Sequence, residues 1–310
     1  MKDLDTSGLD CLAALADEGS FERAAQRLSL TQSAVSQRLR ALESQLGRPL
    51  VVRSRPLRLT PAGQVLLRLA RQWQALRVDA AAELGLPLPQ LKVPIAVNAD
   101  SLATWVLPAL DALVAEEPAL ALELLVDDQE FTHEWLRDGA VLGCVSTQGE
   151  PLRGCVASAL GLMPYGAFAS PDFIRRRLPQ GLHAGNLATT PFVVFNRKDQ
   201  MSLRWVEAAL GLRAPRLLER HVPSSEAYQR ATVLGWGIGV LPLLQAREAV
   251  ARGELLPLHP GLRLPVALYW HQWALAAPAG APPLLDRIGQ ALAAQARQVL
   301  EPAPASASGE

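Results

Sequence analysis

The chain has little cysteine, no surplus of either charge and no long apolar run. Its three cysteines, Cys11, Cys144 and Cys155, are odd in number and share no Cys-x-x-Cys spacing, which argues against a disulfide framework and a zinc site. No apolar stretch approaches the roughly 20 residues that a membrane span requires. Asp3 and Asp5 stand where a signal peptide would begin its basic and apolar regions, so the cytoplasm is the expected compartment and no membrane partner is expected. Thirty basic residues balance thirty acidic ones, so no overall field draws the molecule to nucleic acid. The histidines, His133, His183, His221, His259 and His271, show no metal-ligand spacing, and no Gly-x-Ser-x-Gly elbow occurs. No catalytic residue, metal or cofactor is therefore expected.

What is present is globular: 310 residues, 49% hydrophobic and 19% charged, enough for two or three cores. The charge is unevenly placed. Residues 21–60 contain Arg23, Arg27, Arg38, Arg40, Arg48, Arg53, Arg55 and Arg58 against only Glu22 and Glu43. Within this stretch, Thr31 to Gly47 carries Val35, Leu39, Leu42 and Leu46 at helical spacing, with a helix-starting threonine before and a helix-stopping glycine after. Its other face collects Ser33, Ser36, Gln37 and Arg40, with Gln32 in the first turn. Amides, hydroxyls and a guanidinium hydrogen-bond base edges and phosphates in a major groove. A shorter helical segment, Ser20 to Leu28, precedes it, with Ala24 and Ala25 small enough for close helix contact. Two helices across a three-residue turn predict a helix-turn-helix, although a plain helical hairpin with a solvated face has the same spacing. Residues 9–16 predict a helix packed behind the pair.

From Leu50 to Leu59, apolar and basic residues alternate, predicting a two-stranded wing with Ser54 to Pro56 at its tip. Its Arg53, Arg55 and Arg58, with Arg40, are candidates for phosphate contacts, which position a protein without specifying sequence. Thr60-Pro61 is a strong helix start, and the helix can run to Leu84 before Gly85 and Pro87, about 36 Å at 1.5 Å per residue. Ala62, Leu66, Leu69, Trp73, Leu76 and Ala80 form a seam at alternating spacings of four and three. Leu66, Leu69, Trp73 and Leu76 are the candidate dimerisation residues. Beyond Pro87, Pro89 and Pro94, strands and helices alternate, which predicts an α/β region with parallel sheets. Gly235-x-Gly-x-Gly239 lies after a helix and before a strand, the reverse of a dinucleotide-binding order, and predicts tight backbone packing.

These motifs resemble the LysR-type transcriptional regulators over nearly the whole chain. The resemblance rests on Ser20-Phe-x-x-Ala-Ala-x-x-Leu28, Thr31-Gln-Ser-Ala-Val-Ser-Gln37, Leu42-Glu43, Leu46-Gly47, Leu59-Thr-Pro-Ala-Gly63 and Gly235-Trp-Gly-Ile-Gly-Val-Leu-Pro242. Ala96 to Trp105, Ser224 to Ala227 and Leu268 to His271 further resemble the subgroup that activates lysine and arginine exporter genes, also described as inhibitors of chromosome initiation. Many family members have proline where Ser33 stands; that subgroup does not. The resemblance implies a multidomain α+β protein with a winged helix-turn-helix at 1–60 and a linker and dimerisation helix with hinge at 61–90. It implies a two-lobed, periplasmic-binding-protein-like α/β effector domain at 91–300, and the Pro-, Ala- and Ser-rich tail 301–310 is expected to be disordered. Lobe I would comprise about 91–161 and 270–300, and lobe II about 162–269. The implied partners are a double-stranded DNA operator, a small-molecule effector, further copies in a dimer or tetramer, and RNA polymerase.

Two loops carry independent physical logic for an effector. Asn98-Ala-Asp100-Ser101 is a strand end opening into a helix, where free N–H groups favour a carboxylate. Ser224-Ser225-Glu226 is a second helix start, and in the family the two loops face one cleft. Ser101 and Ser225 can equally be simple helix caps. A basic amino acid would also need acids, for which Asp127 and Asp128 at the next strand end are the first candidates, with Asp100 and Glu226 nearby and Ser146 at the third strand end. Alternative readings are a regulator with another effector, an effector-independent nucleoid or replication-origin DNA-binding protein, and an α/β enzyme with an accessory DNA-binding module.

Overall fold

The computed structural model describes residues 4–52, 54, 57–84, 86, 91–118, 120–127, 132–274 and 283–303. Three helices open the chain: α1 (Thr6–Glu18), α2 (Phe21–Arg27) and α3 (Gln32–Leu46). Each start is capped by a side chain that accepts a free backbone N–H: Asp5 from Ser7, Ser20 from Arg23, Thr31 from Ala34. Gly47 ends α3 in the left-handed conformation, φ 65°. The α3 stripe of Val35, Leu39 and Leu42 is fully buried with Leu9, Leu12 and Leu15 of α1, and α1 is longer at both ends than the expected 9–16. The wing is β1 (Val51–Val52) paired antiparallel with β2 (Arg58–Leu59); its tip residues Arg53, Arg55 and Pro56 lie outside the described residues. Glu43 turns away from the outer face of α3 and accepts the Leu50 amide at 2.8 Å, tying helix to wing.

Helix α4 (Pro61–Glu83) follows the Thr60 cap, whose hydroxyl accepts the Gly63 amide at 3.0 Å. It packs along α1, where Asp17 forms a buried ion pair with Arg71 and a second with Arg27. Asp10 adds bonds to Gln74 and Arg77, each 3.1 Å. Further along, α4 reaches the next domain: Arg68 donates to the Arg137 carbonyl at 2.8 Å, and Asp79 accepts the Leu284 amide at 3.3 Å.

The first half of that domain contains β3 (Leu91–Asn98), a long helix formed by α5 (Ala99–Ser101), a π-helical turn (Leu102–Val106) and α6 (Leu107–Glu116), then β4 (Leu120–Asp127), α7 (Thr132–Arg137) and β5 (Gly143–Ser146). The chain crosses on β6 (Cys155–Ala169) into the second half: α8 (Pro171–Arg177), α9 (Ala184–Leu187), β7 (Pro191–Val194), α10 (Met201–Leu210), β8 (Leu218–His221), α11 (Ser225–Val233), β9 (Ile238–Pro242), α12 (Leu243–Ala251) and β10 (Leu256–Pro257). It returns on β11 (Leu264–Trp273), and α13 (Leu284–Val299) closes the first half with Leu285, Ile288, Leu292 and Ala296 buried.

The sheet order is β4-β3-β5-β11-β6-β9-β7-β8, with β10 beside β6. The expectation of parallel sheets is corrected here. Parallel triplets β4-β3-β5 and β9-β7-β8 sit at either end, but antiparallel β11 and β6 join them. At about 3.3 Å per residue, the 15-residue β6 is long enough to serve both halves. The sequence pattern predicts a strand only over 165–169, the last third of β6, because Gly161 and Pro164 interrupt it. The structure accommodates proline by pairing Pro164 with Pro265. Neither needs to donate across that pair; outward, β9 begins pairing only at Tyr165 and β5 only at Tyr269. Between the halves the register shifts: Leu268 faces Gly161 and Tyr269 faces Ala159, which leaves Leu160 as the extra residue of a bulge. Glu301, expected in a disordered tail, exchanges two backbone hydrogen bonds with Leu162, 2.8 and 3.0 Å, beside this bulge.

The sequence pattern of the α/β region predicts helices over 101–115, 130–138, 203–210, 225–234 and 283–300, so α8, α9 and α12 have no counterpart in it. The Gly235 to Gly239 run is tight packing, as expected: a Cβ on Gly237 would lie 2.5 Å from the Pro191 carbonyl oxygen.

Candidate DNA-binding face and interlobe cleft

On α3, Gln32, Ser33, Gln37 and Arg40 are exposed and Ser36 is half-buried. Val35, Leu39 and Leu42 fasten the opposite face to α1, so the polar row projects from a rigid support. Arg58 on β2 is exposed beside it. Other arginines of this stretch are engaged within the fold: Arg27 with Asp17 and Glu18, and Arg23 with the Glu18 carbonyl. The cationic face therefore rests, among the described residues, on the exposed Arg40, Arg48 and Arg58 with the half-buried Arg38.

On α4 the apolar seam is shifted by one residue at its start. Leu69, Trp73 and Leu76 are 38%, 40% and 36% exposed, but Leu66 is half-buried against the winged-helix core. Val65, 51% exposed, takes its place in the outward stripe. The reason is the direction in which α1 meets α4: Leu67, Ala70 and Ala75 form the buried line, and Leu66 falls on its edge.

The second site lies between the two halves of the α/β domain. A cleft of about 490 Å³, including space open to solvent, is lined by Asn98, Asp100, Tyr165, Phe195, Asp199, Met201 and Tyr228, with Ala99, Val240 and Leu241. Asn98 ends β3 and occupies the cap position of the following helix without a capping bond. Its side chain is 2% exposed and neither polar atom has a protein partner; the Ser101 hydroxyl, fully buried, has none either. Buried polar groups are ordinarily hydrogen-bonded, so this helix start is prepared for a polar guest. Asp100 accepts the Tyr165 hydroxyl at 2.7 Å and the Ser225 hydroxyl at 2.6 Å. Ser225 is anchored in turn by Gln245, whose amide nitrogen donates to the Ser225 carbonyl at 3.0 Å.

Asp199 enters from the opposite wall, on the turn between β7 and α10. Its carboxylate accepts the amides of Phe195 (3.1 Å) and Met201 (2.8 Å). Burial raises this carboxyl above the ordinary range; the two amide bonds oppose that, and the charges of Asp100 and Glu219 add to it.

The structure places Asn98 and Asp100 in the cleft lining, joins Ser225 to Asp100 by a hydrogen bond, and buries Ser101 next to Asp100 in the chain. The cap of α11 is Ser224, accepting from Ala227, and Ser225 is the cross-cleft donor; neither Ser101 nor Ser225 is a simple cap. Glu226 is exposed on the first turn of α11 and does not line the cleft, because the helical advance carries it away from Ser225. Ser146 is buried at the end of β5 and accepts the Gln148 amide at 3.2 Å, also outside the lining. Asp127 pairs in register with Asn98, so its backbone stands at the rim, while Asp128 lies outside the described residues. Sequence reading missed Asp199, Tyr165 and Gln245. For Asp199 a signal existed: it follows the end of strand β7, topologically equivalent to the Asn98 loop after β3.

A supported helix with an exposed polar face, a wing and a cleft between two α/β halves on one chain define a ligand-responsive DNA-binding protein. Residues 7–64 match the bacterial regulatory helix-turn-helix protein family, lysR type, and residues 88–290 match the LysR substrate binding domain. The chain belongs to the LysR family of transcriptional regulators. It is 43% identical over 304 residues to the HTH-type transcriptional regulator ArgP of Aeromonas salmonicida, covering 97% of this chain and 100% of that one. Among solved structures, ArgP from Mycobacterium tuberculosis is similar with a TM-score of 0.83 and 37% identity, covering 97% of this chain and 100% of that one. LysG from Corynebacterium glutamicum with bound effector Arg is similar with a TM-score of 0.74 and 34% identity, covering 96% and 100%.

Proposed function

We propose that this regulator binds a basic amino acid, lysine or arginine, between its lobes and thereby changes how a dimer engages operator DNA, controlling an amino-acid exporter gene from the cytoplasm. The observation that carries the ligand class is the cleft lining, which among the described residues has two carboxylates, Asp100 and Asp199, and no lysine or arginine. The similarity to an arginine-bound LysG supports the same class. The α-carboxylate would lie at the Asn98–Ser101 helix start, where N–H groups and the buried Asn98 and Ser101 side chains offer donors.

The division into lobes at the β6–β11 bulge supports a hinge there. A ligand changes an equilibrium only through its differential affinity for two states, so it must favour one lobe arrangement. Lobe I holds α4 through Arg68–Arg137 and Asp79–Leu284, a physical route to the DNA-binding module. The outward Val65, Leu69, Trp73 and Leu76 stripe fits a helix of a second copy. Gln32, Ser33, Ser36 and Gln37 would read bases while Arg40, Arg53, Arg55 and Arg58 hold phosphate. The test is calorimetric titration of lysine and arginine, with and without operator DNA. Cognate DNA must change ligand affinity by the factor that ligand changes DNA affinity; absence of binding by both amino acids would refute the reading.

A further inference from the structure

We infer that Asp199 is the residue that selects the cationic side chain of the effector, a role that sequence reading had given to Asp127 or Asp128. The inference rests on the basic amino-acid reading and divides the ligand's charges between the two walls. The α-carboxylate and α-ammonium of an amino acid are attached to one carbon, so neighbouring residues of one wall can meet both. The Asn98 side chain, 2% exposed with both polar atoms unpartnered, marks the carboxylate end on the lobe I wall. Asp100 is two residues further on and meets the adjacent ammonium. The remaining charge, at the end of the ligand side chain, is left for the facing wall, where Asp199 is the acidic residue lining the cleft among the described residues.

The neighbourhood of Asp199 agrees with that role. The leading charged groups acting on it are Asp100 from α5 and Glu219 from β8, both acidic, and it in turn acts on the buried Tyr228 of α11. None of the leading influences on it is a cationic side chain. Its two backbone amide bonds fix its position while providing no full positive charge. Held there beside two further acids, the carboxylate gains most from a cation brought by the ligand, since charge-assisted hydrogen bonds are the strong ones. Phe195 and Met201, which flank the Asp199 turn and line the cleft, supply apolar surface for the aliphatic stem of lysine or arginine.

The experiment compares arginine with citrulline, its uncharged isostere, by calorimetric titration of the full-length wild type and Asp199→Asn. Wild type should prefer arginine by about tenfold or more, and Asp199→Asn should reduce the preference to about threefold or less. Titration of wild type in buffers of different ionisation enthalpy supplies a second reading that needs no variant. In mildly acid solution arginine should release a proton that citrulline does not, because the incoming cation lowers a carboxyl that burial had raised. A variant that keeps the wild-type preference, or wild-type proton release equal for both ligands, overturns the role of Asp199. A variant that binds neither ligand leaves the proton measurement to decide. Wild type binding neither lysine nor arginine is a separate result and refutes the ligand class itself.

Discussion

The carboxylate of Asp100 accepts the hydroxyl of Ser225 at 2.6 Å, joining residues 125 positions apart across the interlobe cleft. The same carboxylate accepts Tyr165 on the crossing strand, so one side chain touches lobe I, the hinge strand and lobe II. Hydrogen bonds to charged groups contribute about 1.5–3 kcal/mol net, enough to bias a two-state lobe equilibrium by an order of magnitude or more. Ser225→Ala should therefore weaken effector binding by about ten- to a hundredfold while leaving affinity for operator DNA without effector within about threefold. Titration of both ligands into the variant checks this; unaltered effector affinity would show that the latch does not report on closure.

The α3 face makes a separable prediction. Gln37→Ala should cost about 1–3 kcal/mol on the cognate site and relax selectivity at one position. Arg58→Ala should weaken all sequences alike and flatten the salt dependence by about one unit of slope. Binding to a panel of operator variants across ionic strength distinguishes the two patterns.

Dimerisation is tested on the exposed stripe of α4. Leu69→Asp combined with Leu76→Asp places two charges on residues that are 38% and 36% exposed in the single chain. The variant should sediment as a monomer and lose operator binding, while its circular dichroism stays that of the folded protein. A stable dimer would move the interface to the α/β lobes.

Asp17 and Arg71, 4% and 3% exposed, predict an acid-sensitive junction between α1 and α4. Burial alone would raise the Asp17 carboxyl, but Arg71 and Arg27 reverse the effect and hold it below the usual range. A carboxyl lowered in the folded state contributes stability above its unfolded pKa, near 3.9, and loses it as pH falls through the folded value. Urea unfolding at pH 7 and near pH 3 should show this loss in wild type and less of it in Asp17→Asn. Arg71→Met leaves Asp17 paired with Arg27 alone and should destabilise the protein at pH 7; Arg71→Met combined with Arg27→Met, which strands the buried carboxylate, should cost about 3–5 kcal/mol.

The helix-turn-helix was fully legible in the chain because its determinants are local. Caps at Ser20 and Thr31, the left-handed Gly47 and the Val35–Leu39–Leu42 stripe lie within one or two turns of what they organise. The same holds for α4 and for the helix starts at Asn98 and Ser224. The sheet order, by contrast, depends on partners about 100 residues or more apart: β11 runs between β5 and β6, and sets Pro265 opposite Pro164. No periodicity within β6 encodes that pairing. The cleft divides the same way. Asn98, Asp100, Ser101 and Ser225 announced themselves by position at helix starts, whereas Glu226, one residue from Ser225, is turned outward by helical rotation. Asp199 became a cleft residue only when the antiparallel crossing strands set the end of β7 opposite the end of β3. Local caps and stripes determine which segments are helices and where ligand-ready ends occur; which two ends face each other is decided by the long-range pairing of β6 and β11.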